Sequence, residues 1–283
     1  MEKEDSKLNT PGDVFAYWRT LPDMQEFVRQ CYYDDVLDAA DRFYKSEEFR
    51  EVHSLVCKYL KKNTGKLLDI GGGNGMASLA WNKSGFEAYL IEPDSHPVVG
   101  YGEVIKVSSL PVISAYGENL PVPSQYFDVV YVRQVLHHLP DLSAFMNEVY
   151  RVLKPGGILV ATREHVISTS ADLAAFHQNH PVHQYTKGEH AYLLHDYVTS
   201  IKSAGLLLKQ VIGPASSVIN YAPTSTQEFH ENLQNKLSQR TPIPSPIINM
   251  LLNIPAIKRG LQWFLSYRDS TPGRLYSFVA MRP

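Results

Sequence analysis

The apolar run Leu67-Leu68-Asp69-Ile70 carries a carboxylate near its end and gives way to Gly71-Gly72-Gly73-Asn74-Gly75. Glycines at the alternate positions 71, 73 and 75 permit backbone angles and close approaches that a Cβ blocks, so the stretch reads as a tight turn from strand to helix. A ligand can lie against bare backbone N–H groups where such a helix begins. A second carboxylate, Glu92, closes the next apolar run, Ala88-Tyr89-Leu90-Ile91. It follows Gly75 by 17 residues, near the spacing of about 20 at which an acidic side chain meets a ribose in nucleotide-binding folds.

Around this turn the chain alternates strand and helix signals, the pattern of an α/β sheet protein. Strands are expected near 66–70, 87–92, 110–115, 127–133, 157–162 and 206–213, with a last one at 275–281. Helices are expected near 74–84, 95–100, 141–152 and 190–204, with Asp141 as the N-cap of the third. Residues 13–62 read as mostly helical, since apolar residues from Val36 to Leu60 recur at helical spacing. Between the sixth and last strands lies an insertion, 214–273. It holds the rigid stretch Thr241-Pro242-Ile243-Pro244-Ser245-Pro246, followed by one or two apolar helices over 247–267.

Two further blocks reinforce the glycine turn. Residues 117–141 include Gly117-Glu118-Asn119-Leu120-Pro121 and Asp128-Val129-Val130-Tyr131-Val132-Arg133-Gln134-Val135-Leu136-His137-His138-Leu139-Pro140-Asp141. Residues 148–160 include Glu148-Val149-Tyr150-Arg151-Val152-Leu153-Lys154-Pro155-Gly156-Gly157. In their order and spacing the three blocks resemble the class I S-adenosylmethionine-dependent methyltransferases, in particular the small-molecule type 11-like family. The resemblance covers roughly residues 65–162. It implies a Rossmann-like fold with a seven-stranded, mostly parallel sheet, the last strand antiparallel, and a helical cap. The corresponding division is a cap at 1–62, a cofactor-binding core at 63–213, a helical insertion or lid at 214–273 and the last strand at 274–283.

The resemblance also implies S-adenosylmethionine as cofactor, S-adenosylhomocysteine as product, and a set of site residues. Asp69 would support the loop and the cofactor ammonium, while Gly71 and Gly73 let the backbone approach. Glu92 suits the ribose diol, because a carboxylate accepts from two hydroxyls at once. Backbone at Gly117 and Glu118 would read the adenine edge. Here the chain departs from the family, since Tyr116 stands where an Asp usually accepts from the adenine amino group. Tyr116 either offers its ring or hydroxyl or merely packs. Gln134 follows the fourth strand at the edge where open α/β sheets bind ligands. Arg42, in the segment ahead of the turn, would meet the cofactor carboxylate or else form a surface salt bridge.

For proton transfer the candidates are His138 and His165, since imidazole titrates near working pH. The region around His165 is rich in this residue: 6 of the 11 histidines fall between 165 and 195. Those at 177, 180 and 183 read as a metal site, a polar acceptor lining or a solvated face. Spacing of three and Pro181 weigh against the first, and no metal is assigned.

Charge and composition narrow the partners. With 27 basic and 29 acidic residues the net charge is −2, which gives no electrostatic case for nucleic acid. The charged start at residues 1–7 does not read as a signal peptide, and no run reaches the roughly 18 apolar residues of a membrane-spanning helix. A cytoplasmic protein with reduced Cys31 and Cys57 is therefore expected. The segment 247–267, with Trp263, Phe264, Lys258 and Arg259, suits a helix packed on the core or on a dimer partner, or a weak peripheral contact with a membrane or an apolar acceptor. The expected acceptor is a small molecule, guessed as a sugar or other polar metabolite from the histidines, methylated on O, N or C by a monomer or homodimer. The rivals are a regulatory subunit that binds the cofactor without transfer, and a non-methyl enzyme such as a cyclase or decarboxylase.

Overall fold

Strand β4 (Phe127–Arg133) sits at the middle of the sheet, and its sequence shows why. Successive strand side chains point to opposite faces, and here both faces are apolar. Val130 and Val132 enter one buried cluster, Val129 and Tyr131 the other. The computed structural model describes residues 11–24, 35–179 and 191–283.

Around β4 run β1 (Lys66–Ile70), β2 (Glu87–Ile91), β3 (Val112–Ile113), β5 (Leu153–Ile167), β7 (Leu207–Ile212) and β8 (Arg274–Met281), in the order β3-β2-β1-β4-β5-β8-β7. Only β8 is antiparallel to its neighbours, β5 and β7. The sheet has an eighth member beyond the expected seven. Strand β6 (Tyr192–Leu193) pairs with Val166 and Ile167 of β5. It can do so because β5 outruns β4, whose last pair is Arg133 with Thr162.

One face is covered by α2 (Val36–Lys45), α3 (Glu47–Leu60) and α4 (Met76–Lys83), which bury Phe43, Phe49, Val52 and Trp81. The other is covered by α6 (Leu142–Val152) and α8 (Leu194–Ser203) through Phe145, Met146, Val149, Tyr197 and Ile201, with the short α7 (Asp172–Asn179) between them in the chain. A preceding helix, α1 (Pro11–Thr20), packs with Val99 in a small separate cluster. The helix expected at 95–100 does not form. A Cβ at Gly100 would lie 2.0 Å from the Asp94 carbonyl oxygen, so the chain turns tightly there and the helical turn comes later, as α5 (Val104–Val107).

The insertion leaves β7 after Ile212 and returns to β8 at Arg274, both on the edge where the parallel strands end. It holds α9 (Val218–Tyr221), α10 (Thr226–Arg240), α11 (Ser245–Leu252) and α12 (Pro255–Arg268). No helix among the described residues is long and apolar enough to cross a membrane. Cys57 is a free thiol, whereas Cys31 lies outside the described residues.

Asp141 caps α6 as expected, its Oδ1 accepting from Ser143 N and Ala144 N at 2.9 Å each. Replacing it with Ala should cost about 1 kcal/mol, read as a lower urea midpoint with unchanged slope.

Candidate active site

The turn after β1 is built around absent side chains. Gly71, Gly73 and Gly75 all have positive φ (68°, 54° and 84°). A Cβ at Gly71 would stand 2.8 Å from the Val135 side chain, and one at Gly73 would stand 2.9 Å from the Val99 carbonyl oxygen. Glu92 closes the turn from the next strand. Its Oε2 accepts from Gly73 N and its Oε1 from Asp94 N, both at 2.9 Å. The carboxylate is nearly buried, and burial raises its pKa against the pull of those two N–H groups.

Asp69 lies beneath the turn, 1% exposed, with Oδ2 accepting from Ser78 Oγ at 2.6 Å. Burial lifts its pKa from 3.8 to about 7; the Ser78 hydroxyl opposes the shift and the Glu92 charge adds to it. Gly117 is buried against Phe145, where a Cβ would come within 2.5 Å of the ring. Glu118 beside it is half-buried. Tyr116 is 73% exposed.

Two neighbouring strand ends adopt left-handed backbone: Gln134 has φ 58° and Arg163 φ 61°. Non-glycine residues there cost of order 1–3 kcal/mol and tend to mark functional sites. Gln134 N donates to Thr162 O at 2.9 Å, which ties the two ends together. Gln134 Oε1 accepts from Arg133 Nη1 at 3.1 Å. Arg133 in turn forks onto Glu48 of α3, with Nε–Oε1 2.7 Å and Nη2–Oε2 3.1 Å. Burial alone would raise Glu48, but the Arg133 guanidinium, with help from Arg163, holds it below the ordinary value. Arg163 donates through Nη1 to the carbonyls of Ile219 and Ala222 at 2.9 and 3.0 Å, which fastens the insertion to β5.

On the opposite side of β5, Glu164 is fully buried and accepts from the backbone N–H of Val135 and His137 at 3.1 and 3.3 Å. Its Oε2 is also 2.9 Å from His137 Nδ1. Burial pushes Glu164 up, opposed by these backbone donors. The buried His137 ring lies 4.1 Å from His138 and 4.6 Å, edge-on, from His165. His138 is exposed. His165 Nδ1 is 2.7 Å from Gly273 O. A carbonyl only accepts, so Nδ1 carries the proton and Nε2 is the basic nitrogen of a neutral His165.

Thus His138 and His165 are brought together, and the ring between them is His137, anchored by Glu164. His195 is exposed, with Nε2 3.2 Å from Thr199 Oγ1. His180, His183 and His190 lie outside the described residues. Among the described residues no cluster of His, Cys, Asp or Glu could hold a metal. Arg42 forms the surface pair: Nη2 is 2.8 Å from Asp38 Oδ2 on an exposed stretch of α2. Three residues here escaped the sequence reading: Glu48, Ser78 and Arg163. Glu48 has the local look of an ordinary acidic residue in a first helical turn, and its partner lies 85 positions away.

Because Asp69 is raised, between about pH 4 and about pH 7 the folded chain holds a proton that the unfolded chain has released. The stability this group contributes falls as pH rises through that window. In urea unfolding at about pH 5 and about pH 7.5, the wild type should lose more stability between the two conditions than Asp69→Asn. Equal losses would contradict the raised pKa.

A family model described as a methyltransferase domain matches residues 68–161. The ubiquinone/menaquinone biosynthesis C-methyltransferase UbiE of Neisseria meningitidis is 40% identical over 108 residues, spanning 36% of this chain and 43% of that protein. The chain therefore matches less than half the length of this relative. Among solved structures, the [4+2]-cyclase SpnF superposes with TM-score 0.52 at 20% identity, covering 82% of this chain and 81% of its own. Geranyl diphosphate C-methyltransferase of Streptomyces coelicolor A3(2), solved with Mg2+, geranyl diphosphate and S-adenosyl-L-homocysteine, gives 0.53 at 13% identity, covering 83% and 79%. At such identities these two show the shared fold alone.

Proposed function

We propose that this chain, whose residues 68–161 match the methyltransferase domain model, is a class I S-adenosylmethionine-dependent methyltransferase that moves a methyl group to an O, N or C atom of a small-molecule acceptor. The observation that carries the reading is the glycine turn fastened to Glu92. Half-exposed Gly71 and Gly73, both left-handed, let a ligand come close to the backbone beside two buried carboxylates, acceptors that fit an ammonium group and a ribose diol.

When bound, S-adenosylmethionine supplies an electrophilic methyl on sulfur. Asp69, buried beneath the turn, would support the loop and, as a carboxylate, favour an ammonium held above it, since a nearby cation favours ionisation. Gly71 and Gly73 offer close backbone approach, and the remaining lone pairs of Glu92 take the ribose hydroxyls. Gly117 and Glu118 would border the adenine. Gln134, in its left-handed turn, would stand where the cofactor and the acceptor meet. There His165, through Nε2, would accept the proton that a hydroxyl acceptor must lose, with His138 on the far side of the His137 ring as the second candidate. The protein's remaining contribution is alignment of the acceptor with the methyl group.

A small molecule is favoured by the named chemistry of the UbiE relative and by a net charge of −2. Neither comparison favours a sugar. The cyclase among the fold neighbours shows that fold alone does not imply methyl transfer; the family match and the UbiE relative argue for it.

Titration calorimetry with S-adenosylhomocysteine tests the site. Glu92→Ala should weaken binding about 10- to 100-fold, the worth of hydrogen bonds to a charged group. Methyl-labelled cofactor, incubated with an extract of the protein's own source, should label a low-mass product. Cofactor binding without labelled product would favour the regulatory or non-methyl readings. Once the acceptor is in hand, His165→Asn keeps a donor for Gly273 O but removes the basic nitrogen. For a hydroxyl acceptor it should lower kcat about 10²- to 10⁴-fold; full turnover would remove His165 from the mechanism.

A further inference from the structure

Arg133 and Arg163 stand at neighbouring strand ends and use their guanidinium groups differently. Arg133 fills its fork: Nε and Nη2 meet the two oxygens of Glu48 at 2.7 and 3.1 Å, and Nη1 meets Gln134 Oε1 at 3.1 Å. Arg163 spends Nη1 alone, on the carbonyls of Ile219 and Ala222. Its Nε is buried with no hydrogen-bond partner, and among the described residues none accepts from Nη2. The edge left over is the one that grips a carboxylate in two parallel N–H···O bonds, as Arg133 grips Glu48. Buried N–H groups without a partner are rare in folded proteins, and a missing ion is one of their causes.

The charges around this fork do not balance. Among the described residues Glu48 is the carboxylate whose charge reaches Arg163, and it is already joined to Arg133. Burial, opposed by Glu48 and reinforced by Arg133, lowers Arg163 from 12.5 to about 10, so it stays a cation at neutral pH. Two guanidinium groups thus share one carboxylate where a charge without a counterion is costly. The surplus is one positive charge.

We propose that the Nε and Nη2 edge of Arg163 binds a carboxylate of the methyl acceptor. A single carboxylate matches both the shape of the edge and the surplus of one charge, whereas a phosphate dianion reverses that surplus. The position suits an acceptor. Arg163 follows Thr162, whose carbonyl accepts from Gln134 N at 2.9 Å, at the strand end where cofactor and acceptor would meet. The carboxylate held there is a handle: its oxygens are occupied by the fork, so the methyl group goes to another atom. Arg163 is partly open to solvent although Nε is not, so the incoming carboxylate displaces the cover of that atom. The assignment to an acceptor rests on the methyl-transfer reading; the anion site does not.

Two measurements test the site. In the first, the full chain without cofactor is titrated with trifluoroacetate, a small and permanently ionised carboxylate, and followed by fluorine NMR. Saturable binding is expected, weakened about tenfold or more in Arg163→Lys, which keeps a cation and a donor for the two carbonyls but loses the fork. Arg259→Gln, at an exposed position on α12, should bind like the wild type. Far-UV circular dichroism confirms that both variants fold. In the second, which needs no variant, the labelled product of the extract assay is applied to an anion exchanger. It should be retained at neutral pH and released at about pH 2, below the carboxylate pKa of about 4. The proposal is overturned if trifluoroacetate binding does not saturate, if Arg163→Lys binds it like the wild type, or if Arg259→Gln loses it equally. It is overturned as well by a product that is uncharged at neutral pH, or one that stays bound at about pH 2 as a phosphate ester does. Trifluoroacetate binding through Arg163 with no labelled product would keep the anion site and count against methyl transfer.

Discussion

One bond between a backbone N–H and a carboxylate organises the ligand edge of this protein. Gly73 N, in a turn that only glycine enters without strain, donates to Glu92 Oε2 at the end of the neighbouring strand. The turn therefore cannot open without releasing a nearly buried carboxylate, and the carboxylate cannot leave without freeing the turn. Asp69 below and Val135 above are both shaped around this arrangement, the first through Ser78, the second by closing on Gly71. A binding surface made of backbone is rigid in a way that a surface of long side chains is not, because little rotamer entropy remains to be lost.

The acceptor side is organised by a different device. Adjacent strand ends carry Gln134 and Arg163 in left-handed conformation, and the register of β5 against β8 shifts between Ala161 and Glu164. Such an irregularity re-aims side chains. Here it leaves Arg163 and Glu164 serving opposite faces of the sheet: the arginine holds carbonyls of the insertion, the glutamate holds the turn that carries His137 and His138. Two charged residues at one strand end thus support two separate structures without facing each other.

What was legible in the sequence is what depends on near neighbours. The glycine turn, the doubly apolar β4 and the Asp141 cap each follow from a few consecutive residues, and the structure places them where the pattern does. The parts that were not legible depend on register and distance. Glu48 meets Arg133 across 85 positions, and His137 meets Glu164 across 27. Whether a residue beside a bulge points up or down is decided by one extra residue in a ladder, which no local periodicity records. The orientation of α12 is a further case. Its apolar residues suggested a buried helix, but the fit of Ser266 to Gly213 turned them outward. The missing helix at 95–100 has the same origin, since close backbone contact at Gly100 outweighs local preference.

Helix α3 begins with two glutamates whose obligations differ. Glu47 Oε2 accepts from Thr226 N, the first residue of α10 in the insertion, at 2.7 Å. Glu48, the next residue, holds Arg133 at the edge of the sheet. A rigid peptide unit joins them, so a displacement of the helix start that follows the insertion also pulls on the arginine. The first turn of α3 is in this sense a lever with two short arms. By the reciprocity of linked equilibria, whatever bias the insertion exerts on the ligand edge, the ligand edge returns to the insertion.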